Sequence, residues 1–489
     1  MSARLRLGAL TLAVLVSGGC ATFSKDGGFD GVNAAVKART GEDATWVRDK
    51  KTELSVAEEV RSLLAEPIGP QQAVRIALLN NRGLQATYAD LGIAEADLVQ
   101  AGRLANPVFA YSRLTRGDGL EIERFLIFNL MSLITMSSRV EIAEQRFEQA
   151  KLLAAAEALR VALEARRGWF DAVGARETER YFEMVKRSAD ASAELAARMA
   201  GVGNFSKLQR MREQAFYAET TAQLARAQQN AVAARERLTR TLGLWGTQAQ
   251  FRLPERLPDL PAATRPLGPL EATAMRERLD VRAAKHEAES LAAALGLTDA
   301  TRYVNVLDVG LQNRSESGES RADGWEAGLR LPVFDTGDAR LADAQHRYMQ
   351  SVQRATQVAV NARSEVREAW NAYRTAYDLA RHLRDEIVPL RKRISEENLL
   401  RYNGMLIGVF ELLADARTTI ASVNASIEAL RDFWIADANL QMALTGRSPG
   451  APGLRVVRRR EMVRIAWREI AQTASMEQTL RELSALADA

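Results

Sequence analysis

Between residues 303 and 331 apolar and polar side chains alternate. Tyr303, Leu307, Val309 and Leu311 stand against Asp308, Gly310 and Gln312; Trp325, Ala327, Leu329 and Leu331 stand against Glu326, Gly328 and Arg330. A period of two with one apolar face predicts a hairpin of amphipathic strands. An earlier stretch carries the same pattern less cleanly. Ile122, Leu126, Phe128 and Leu130 share one parity against Glu121, Glu123 and Asn129, while Phe125 and Ile127 blur it. With the run 108–115 and the turn Gly117-Asp118-Gly119, this predicts a first hairpin over 107–131 and a second over 303–332.

After each hairpin the period changes. Apolar or alanine residues fall at 341, 344, 348, 352, 355, 359, 362 and 366 and continue in step to 394. The mean step is roughly 3.5 residues, a heptad seam. Long helices are predicted over 137–200 and 338–403, each about 100 Å in length. Pro389 should bend the second or break it locally. Gly201-Val202-Gly203-Asn204 and Asn403-Gly404 mark tight turns, followed by return helices over 206–242 and 408–444. Ahead of the first hairpin, Gly69-Pro70 opens a helix predicted to run to about residue 103. Ser55 and Glu58 have the spacing of a capping box, predicting a short helix in an otherwise extended arm.

The two halves repeat each other. Gly69-Pro70 and Ala73 recur as Gly268-Pro269 and Ala272. At one constant offset, Arg139 matches Arg340, Arg146 matches Arg347, Gln149 matches Gln350, Arg166 matches Arg367 and Trp169 matches Trp370. The unit is far longer than a solenoid repeat of about 20–50 residues. It is a duplicated half-protein: short helix, hairpin, long helix, tight turn, return helix. The first repeat spans 69–267, its last part a linker with Pro254, Pro258 and Pro261; the second spans 268–449; a tail follows over 450–489.

Composition refines this picture. The 489 residues are 47% hydrophobic and 26% charged, a globular mixture biased to helix. A net charge of +4 with interleaved signs gives no stripe for nucleic acid. Arg4 and Arg6 precede an apolar run over 7–16 and then Ser17-Gly18-Gly19-Cys20, the layout of a secretory signal over 1–19. Cys20 is the only cysteine, which rules out a disulfide within the chain. The segment resembles a bacterial lipoprotein signal, although Ser17 stands where leucine is usual. That resemblance implies a lipidated Cys20 at the head of an arm over 20–68, and Ala21 after it implies the outer membrane. The alternative is an ordinary signal with an incidental cysteine. No later stretch offers the roughly 20 apolar residues of a spanning helix.

No constellation for catalysis is present. His286, His346 and His382 lack metal-ligand spacing, and there is no Gly-rich phosphate loop or nucleophile elbow. Neither enzyme activity, cofactor nor metal is expected. Strands, by contrast, demand something of their surroundings. Two hairpins in one chain leave two open sheet edges, which hydrocarbon does not tolerate. Three copies would supply twelve strands, closing a membrane β-barrel continued by a helical periplasmic cylinder. The expected fold is therefore mainly α with a membrane β-barrel portion.

This pattern resembles the TolC-like outer-membrane factors over residues 69–447. The likeness rests on the duplication, on the junction 331–337 (LPVFDTG), on the second tip 401–415 (RYNGMLIGVFELLAD) and on the first tip 203–209 (GNFSKLQ). It implies a homotrimeric passive exit duct of a tripartite efflux or type I secretion system. Such a duct meets a periplasmic adaptor protein, and through it an inner-membrane transporter. It also implies adaptor-docking tips at Gly203, Asn204, Phe205 and Ser206 and at Gly404, Met405, Leu406, Ile407 and Gly408. The gate would hold Tyr402, matching the family's tyrosine, with Gln209 in the position of its aspartate partner. Glu411 matches one acidic ring, whereas Ala414 replaces the second. Met405 takes the usual glycine position. Two other classes share some features: a periplasmic coiled-coil adaptor and a structural envelope lipoprotein.

Overall fold

A computed structural model describes residues 22–265 and 268–446; Cys20 and the tail over 450–489 lie outside them. Helices α1 (Phe29–Thr40), α2 (Lys50–Leu63), α3 (Pro70–Asn80) and α4 (Arg82–Ala101) lead to strands β1 (Val108–Arg116) and β2 (Gly119–Asn129). A short α5 (Leu130–Ile134) precedes α6 (Met136–Gly201) and the return helix α7 (Lys207–Leu242). The second repeat follows the same order. It comprises α8 (Leu270–Glu277), α9 (Leu279–Ala300), β3 (Leu307–Glu316), β4 (Ala322–Leu329), α10 (Asp338–His382), α11 (Val388–Asn403) and α12 (Val409–Thr445). The architecture is mostly helical with one antiparallel sheet, in the order β1-β2-β3-β4.

The long helices and hairpins stand close to where periodicity puts them, with β3 beginning at Leu307 rather than 303. The flaw at Pro389 takes a specific form. Pro389 has no N–H to offer the carbonyl four residues back, and the helix widens into a π turn over Leu383–Ile387 just before it. Arg384 anchors this segment, its Nη1 donating to the carbonyl of Leu260 at 3.3 Å.

Three expectations change. The arm is not extended: α1 and α2 pack Val32, Val36, Val56 and Val60 into the main core, each burial contributing roughly 1.5–3 kcal/mol. Ser55 is interior to α2, whose true N-cap is Asp49, its carboxylate accepting the N–H of Thr52 at 2.8 Å. Third, the helix expected over 69–103 is two helices, broken at Asn81. The Asn81 side chain caps α4 by accepting the N–H of Leu84 and donates to the carbonyl of Thr241 at the end of α7. The second repeat breaks likewise at Arg278, between α8 and α9, and Arg278 donates to the carbonyl of Ala443 near the end of α12. Each break residue thus satisfies a carbonyl that its return helix leaves open.

The repeats are fastened to each other by aromatic rings and by the linker. Phe170 of α6 stacks on Trp434 of α12 at 5.3 Å, Trp434 meets Phe433 edge-on, and Phe433 touches Tyr373 and Tyr377 of α10. The linker lies along this row. Trp434 Nε1 donates to the carbonyl of Pro258, and the Tyr377 hydroxyl to those of Pro261 and Ala262. Arg278 is 1% exposed and lies 2.7 Å from both Asp280 and Glu365. Burial works against its charge, but the two carboxylates outweigh it and hold its pKa above the usual arginine value. Removing one member of such a buried set strands the others. Arg278→Ala should therefore lower stability by about 3–5 kcal/mol, read by urea unfolding in detergent through tryptophan fluorescence. A loss under about 1 kcal/mol would show that the cluster is solvated.

Candidate channel wall and hairpin tips

Strand register decides which side chains share a face. β1, β2, β3 and β4 have 9, 11, 10 and 8 residues, near the roughly 9–11 of a tilted spanning strand. Directly paired residues project to the same side. Phe109, Leu126, Leu311 and Trp325 form one row across all four strands. Phe128, Val309 and Ala327 form the next, and Leu307 pairs with Leu329 beyond it. This face is apolar and uncovered within the chain: Trp325 is 76% exposed and Phe109 65%. Toward the hairpin turns it ends at a polar row, where Arg124 donates to Asn313 at 2.8 Å and Asn313 to Asp323 at 2.6 Å. The opposite face carries Gly310, Gln312, Gly324, Glu326 and Gly328 in β3 and β4, with Val108, Ala110, Phe125 and Ile127 of β1 and β2 in the same rows. The Glu326 side chain lies across Gly310, where a Cβ would stand 2.8 Å from its Cγ and would displace it. Near the turns that face becomes charged, with Arg314 between Glu121 at 2.7 Å and Glu316 at 3.0 Å. The outer edges of β1 and β4 have no partner strand among the described residues.

The hairpin tips lie at the other ends of α6 and α11. At the first, Asn204 and Phe205 N–H groups return to the carbonyl of Met199, with Gly203 at φ 78. At the second, Leu406 N–H returns to the carbonyl of Arg401 and Met405 takes φ 58, alone among described non-glycine residues in having a positive φ. Gly404 has φ −80 and does not relieve the turn. Met405 and Leu406 project into solvent, 93% and 77% exposed, as do Val202 and Leu208.

Among the expected gate residues, Tyr402 is 39% exposed and Glu411 sits in the first turn of α12. Gln209 is engaged locally: its Oε1 accepts the Ser206 N–H at 2.6 Å, while Ser206 Oγ accepts its N–H. No hydrogen bond joins Tyr402 to Gln209 among the described residues. The hairpins are instead held together further from the tip. Glu213 of α7 is 2% exposed and accepts from Ser192 of α6 at 2.8 Å. Arg417 of α12 lies 3.8 Å from Glu213, donates to the carbonyl of Arg212, and packs its guanidinium 4.5 Å over Phe216. Ile420 completes the contact against Phe182, Val185 and Ala227. Sequence gave no sign of this set, because Glu213 and Arg417 lie in different repeats and each reads alone as a solvated charge.

No protein-family model and no curated protein matches the sequence. Solved structures do. The outer-membrane channel OprN superposes with a TM-score of 0.66 at 18% identity, covering 84% of this chain and 95% of that one. The open-state MtrE outer membrane channel of Neisseria gonorrhoeae gives 0.64 at 20%, covering 77% and 89%. The CmeC outer membrane channel of Campylobacter jejuni gives 0.63 at 14%, covering 86% and 92%. The fold is that of the outer-membrane channels. At such identities the likeness lies in the course of the backbone. No helix among the described residues is long and apolar enough to cross a membrane. None of their His, Cys, Asp and Glu residues form a group of three able to hold a metal ion.

Two measurements probe these surfaces. If the row of Leu329 meets lipid, Leu329→Arg should cost about 2–4 kcal/mol near the bilayer midplane, and Gly328→Arg on the opposite face little. Refolding yield into bilayers reads the difference, and the reverse order would invert the two faces. At the second tip, Met405→Gly should relieve roughly 1 kcal/mol of left-handed strain. Hydrogen exchange at 404–408 should then slow about fivefold; unchanged or faster exchange would show that the side chain, not the backbone, sets the turn.

Proposed function

We propose that three copies of this chain form the outer-membrane duct of a tripartite efflux or type I secretion system. The observation that carries this reading is the sheet with an exposed apolar row across all four strands and two open edges, continued into helices of about 100 Å. Pairing β1 of one copy with β4 of the next satisfies both edges and closes a twelve-stranded barrel. The apolar row Phe109, Leu126, Leu311 and Trp325 then meets lipid, and the face with Gln312 and Glu326 meets water. Below the barrel, helices of the three copies form a periplasmic wall, burying their remaining seams against one another. Cys20 is the lipid-anchor residue and adds to the hold on the membrane. The fold likeness to outer-membrane channels supports this over an adaptor, which would carry soluble β modules in place of amphipathic hairpins.

In this reading the tips Gly203–Ser206 and Gly404–Gly408 meet the periplasmic adaptor, and the exposed Met405 and Leu406 offer it apolar contact. Tyr402, Gln209 and Glu411 form the narrow end. The resting position of the second hairpin depends on Arg417 more than on a Tyr402–Gln209 bond, since no such bond joins the tips among the described residues and Gln209 is already oriented by its cap on Ser206. Conductance of the purified protein in planar bilayers tests both levels. Wild type should insert and conduct weakly. Arg417→Ala should raise conductance several-fold, and Tyr402→Phe by less than about twofold, because a neutral hydrogen bond is worth only about 0.5–1.5 kcal/mol. Failure of the wild type to form any channel would refute the duct. Equal conductance of wild type and Arg417→Ala would remove Arg417 from the closing contacts.

A further inference from the structure

A groove of about 630 Å³ opens where the strands give way to the helices, between α6, α9 and α10. Its lining includes four arginines, Arg146, Arg302, Arg340 and Arg347, against a single carboxylate, Asp343. The arginines are unequally paired. Arg347 Nε lies 2.7 Å from Asp343, and Arg340 3.6 Å from Asp335. Arg302 donates Nε to the carbonyl of Thr336 and packs over the ring of Tyr303, and neither it nor Arg146 meets a carboxylate among the described residues. Gly337 and Ala339, at the start of α10, line the same groove, and no side chain caps that helix. Its first-turn N–H groups and dipole add positive potential beside the arginines, partly offset by Asp338 in the same turn and by Asp335, which accepts the Gly337 N–H at 2.8 Å.

Like charges gathered in a groove repel one another unless an anion is shared between them. The groove is large enough for a small-molecule group, in the usual range of about 300–1,000 Å³. Guanidinium forks match the oxygens of a phosphate group, two N–H donors to two oxygens. We propose that this groove is a binding site for a phosphate-bearing anion, held chiefly by Arg146 and Arg302. Two sources share that chemistry, an anionic phospholipid headgroup and a soluble phosphate. The surroundings favour the headgroup. Tyr303, Leu331, Val333 and Phe334 lie in the segments that join the strands to α9 and α10 and are 58%, 69%, 69% and 102% exposed, apolar surface on the strand side of the groove suited to acyl chains. The phosphate chemistry stands on the groove alone; only the lipid source rests on the duct reading.

The test uses the full mature protein in uncharged detergent, with two probes. Dioleoylphosphatidylglycerol is titrated and counted by native mass spectrometry, with dioleoylphosphatidylcholine as the control lipid. Glycerol 3-phosphate is titrated by calorimetry. Saturable binding of either probe is expected, weakened about tenfold or more by Arg146→Gln with Arg302→Gln, since a charge-assisted hydrogen bond is worth about one decade in affinity. Arg146→Lys with Arg302→Lys, which keeps the charge but loses the two-donor fork, should bind more tightly than the Gln pair and more weakly than wild type, which also controls for the fold. Binding of phosphatidylglycerol alone assigns the site to lipid, and binding of glycerol 3-phosphate alone to a solute. Binding of neither probe, or binding that the Gln pair leaves unchanged, overturns the proposal. Because calorimetry needs no membrane, glycerol 3-phosphate binding would stand even if the protein formed no channel.

Discussion

Backbone groups at a sheet edge cannot be left unpaired in hydrocarbon, where each unsatisfied N–H or C=O costs several kcal/mol. This protein has a four-stranded sheet with such an edge on either side. Its apolar face, with Trp325 and Phe109 uncovered, is equally unsuited to water. The two demands point the same way. In the proposed assembly lipid would answer the face, and strands from other copies the edges. The helices that follow inherit the problem in milder form, since long alanine-rich seams need neighbours along their whole length.

A sheet with open edges that is to join others, as proposed, has to be presented by something rigid, and the chain is fastened where the repeats meet. The ring row Phe170–Trp434–Phe433–Tyr373 joins α6, α12 and α10, and the linker seals it by accepting from Trp434 and Tyr377. Asn81 and Arg278 tie each repeat's broken front helix to the end of its own return helix. Away from this belt the ties thin out. Nearer the tips, Arg417 with Glu213 and Phe216, beside the apolar contact of Ile420, spans the two hairpins. Firm fastening at mid-length and sparse fastening at the tips suit a part whose far end moves.

Periodic features were legible in the sequence because a period is a local property. Two-residue alternation placed the strands, the heptad seam placed α6 and α10, and Pro389 marked the π turn. Met405 at a glycine position was legible as well, and the backbone there does take a left-handed φ. What escaped depends on distant partners. Asn81 and Arg278 break helices because each side chain finds a carbonyl on a return helix, which no spacing rule reveals. The arm's helices were obscured by its Gly and Asp content, although Phe29, Val32 and Val36 fall on one helical face. Gln209 is different, for its local role was readable. Ser206 and Gln209 have the spacing of a capping box, and that cap takes the oxygen that the family resemblance assigned to the gate.

The account stands or falls on the sheet edges finding strands in other copies. Native mass spectrometry of the mature protein, released gently from detergent micelles, counts the copies directly. Complexes of three chains are predicted, persisting without cross-linker and separating only when the barrel unfolds. A folded, membrane-inserted population of single chains would contradict the account, because it would leave β1 and β4 unpaired in lipid.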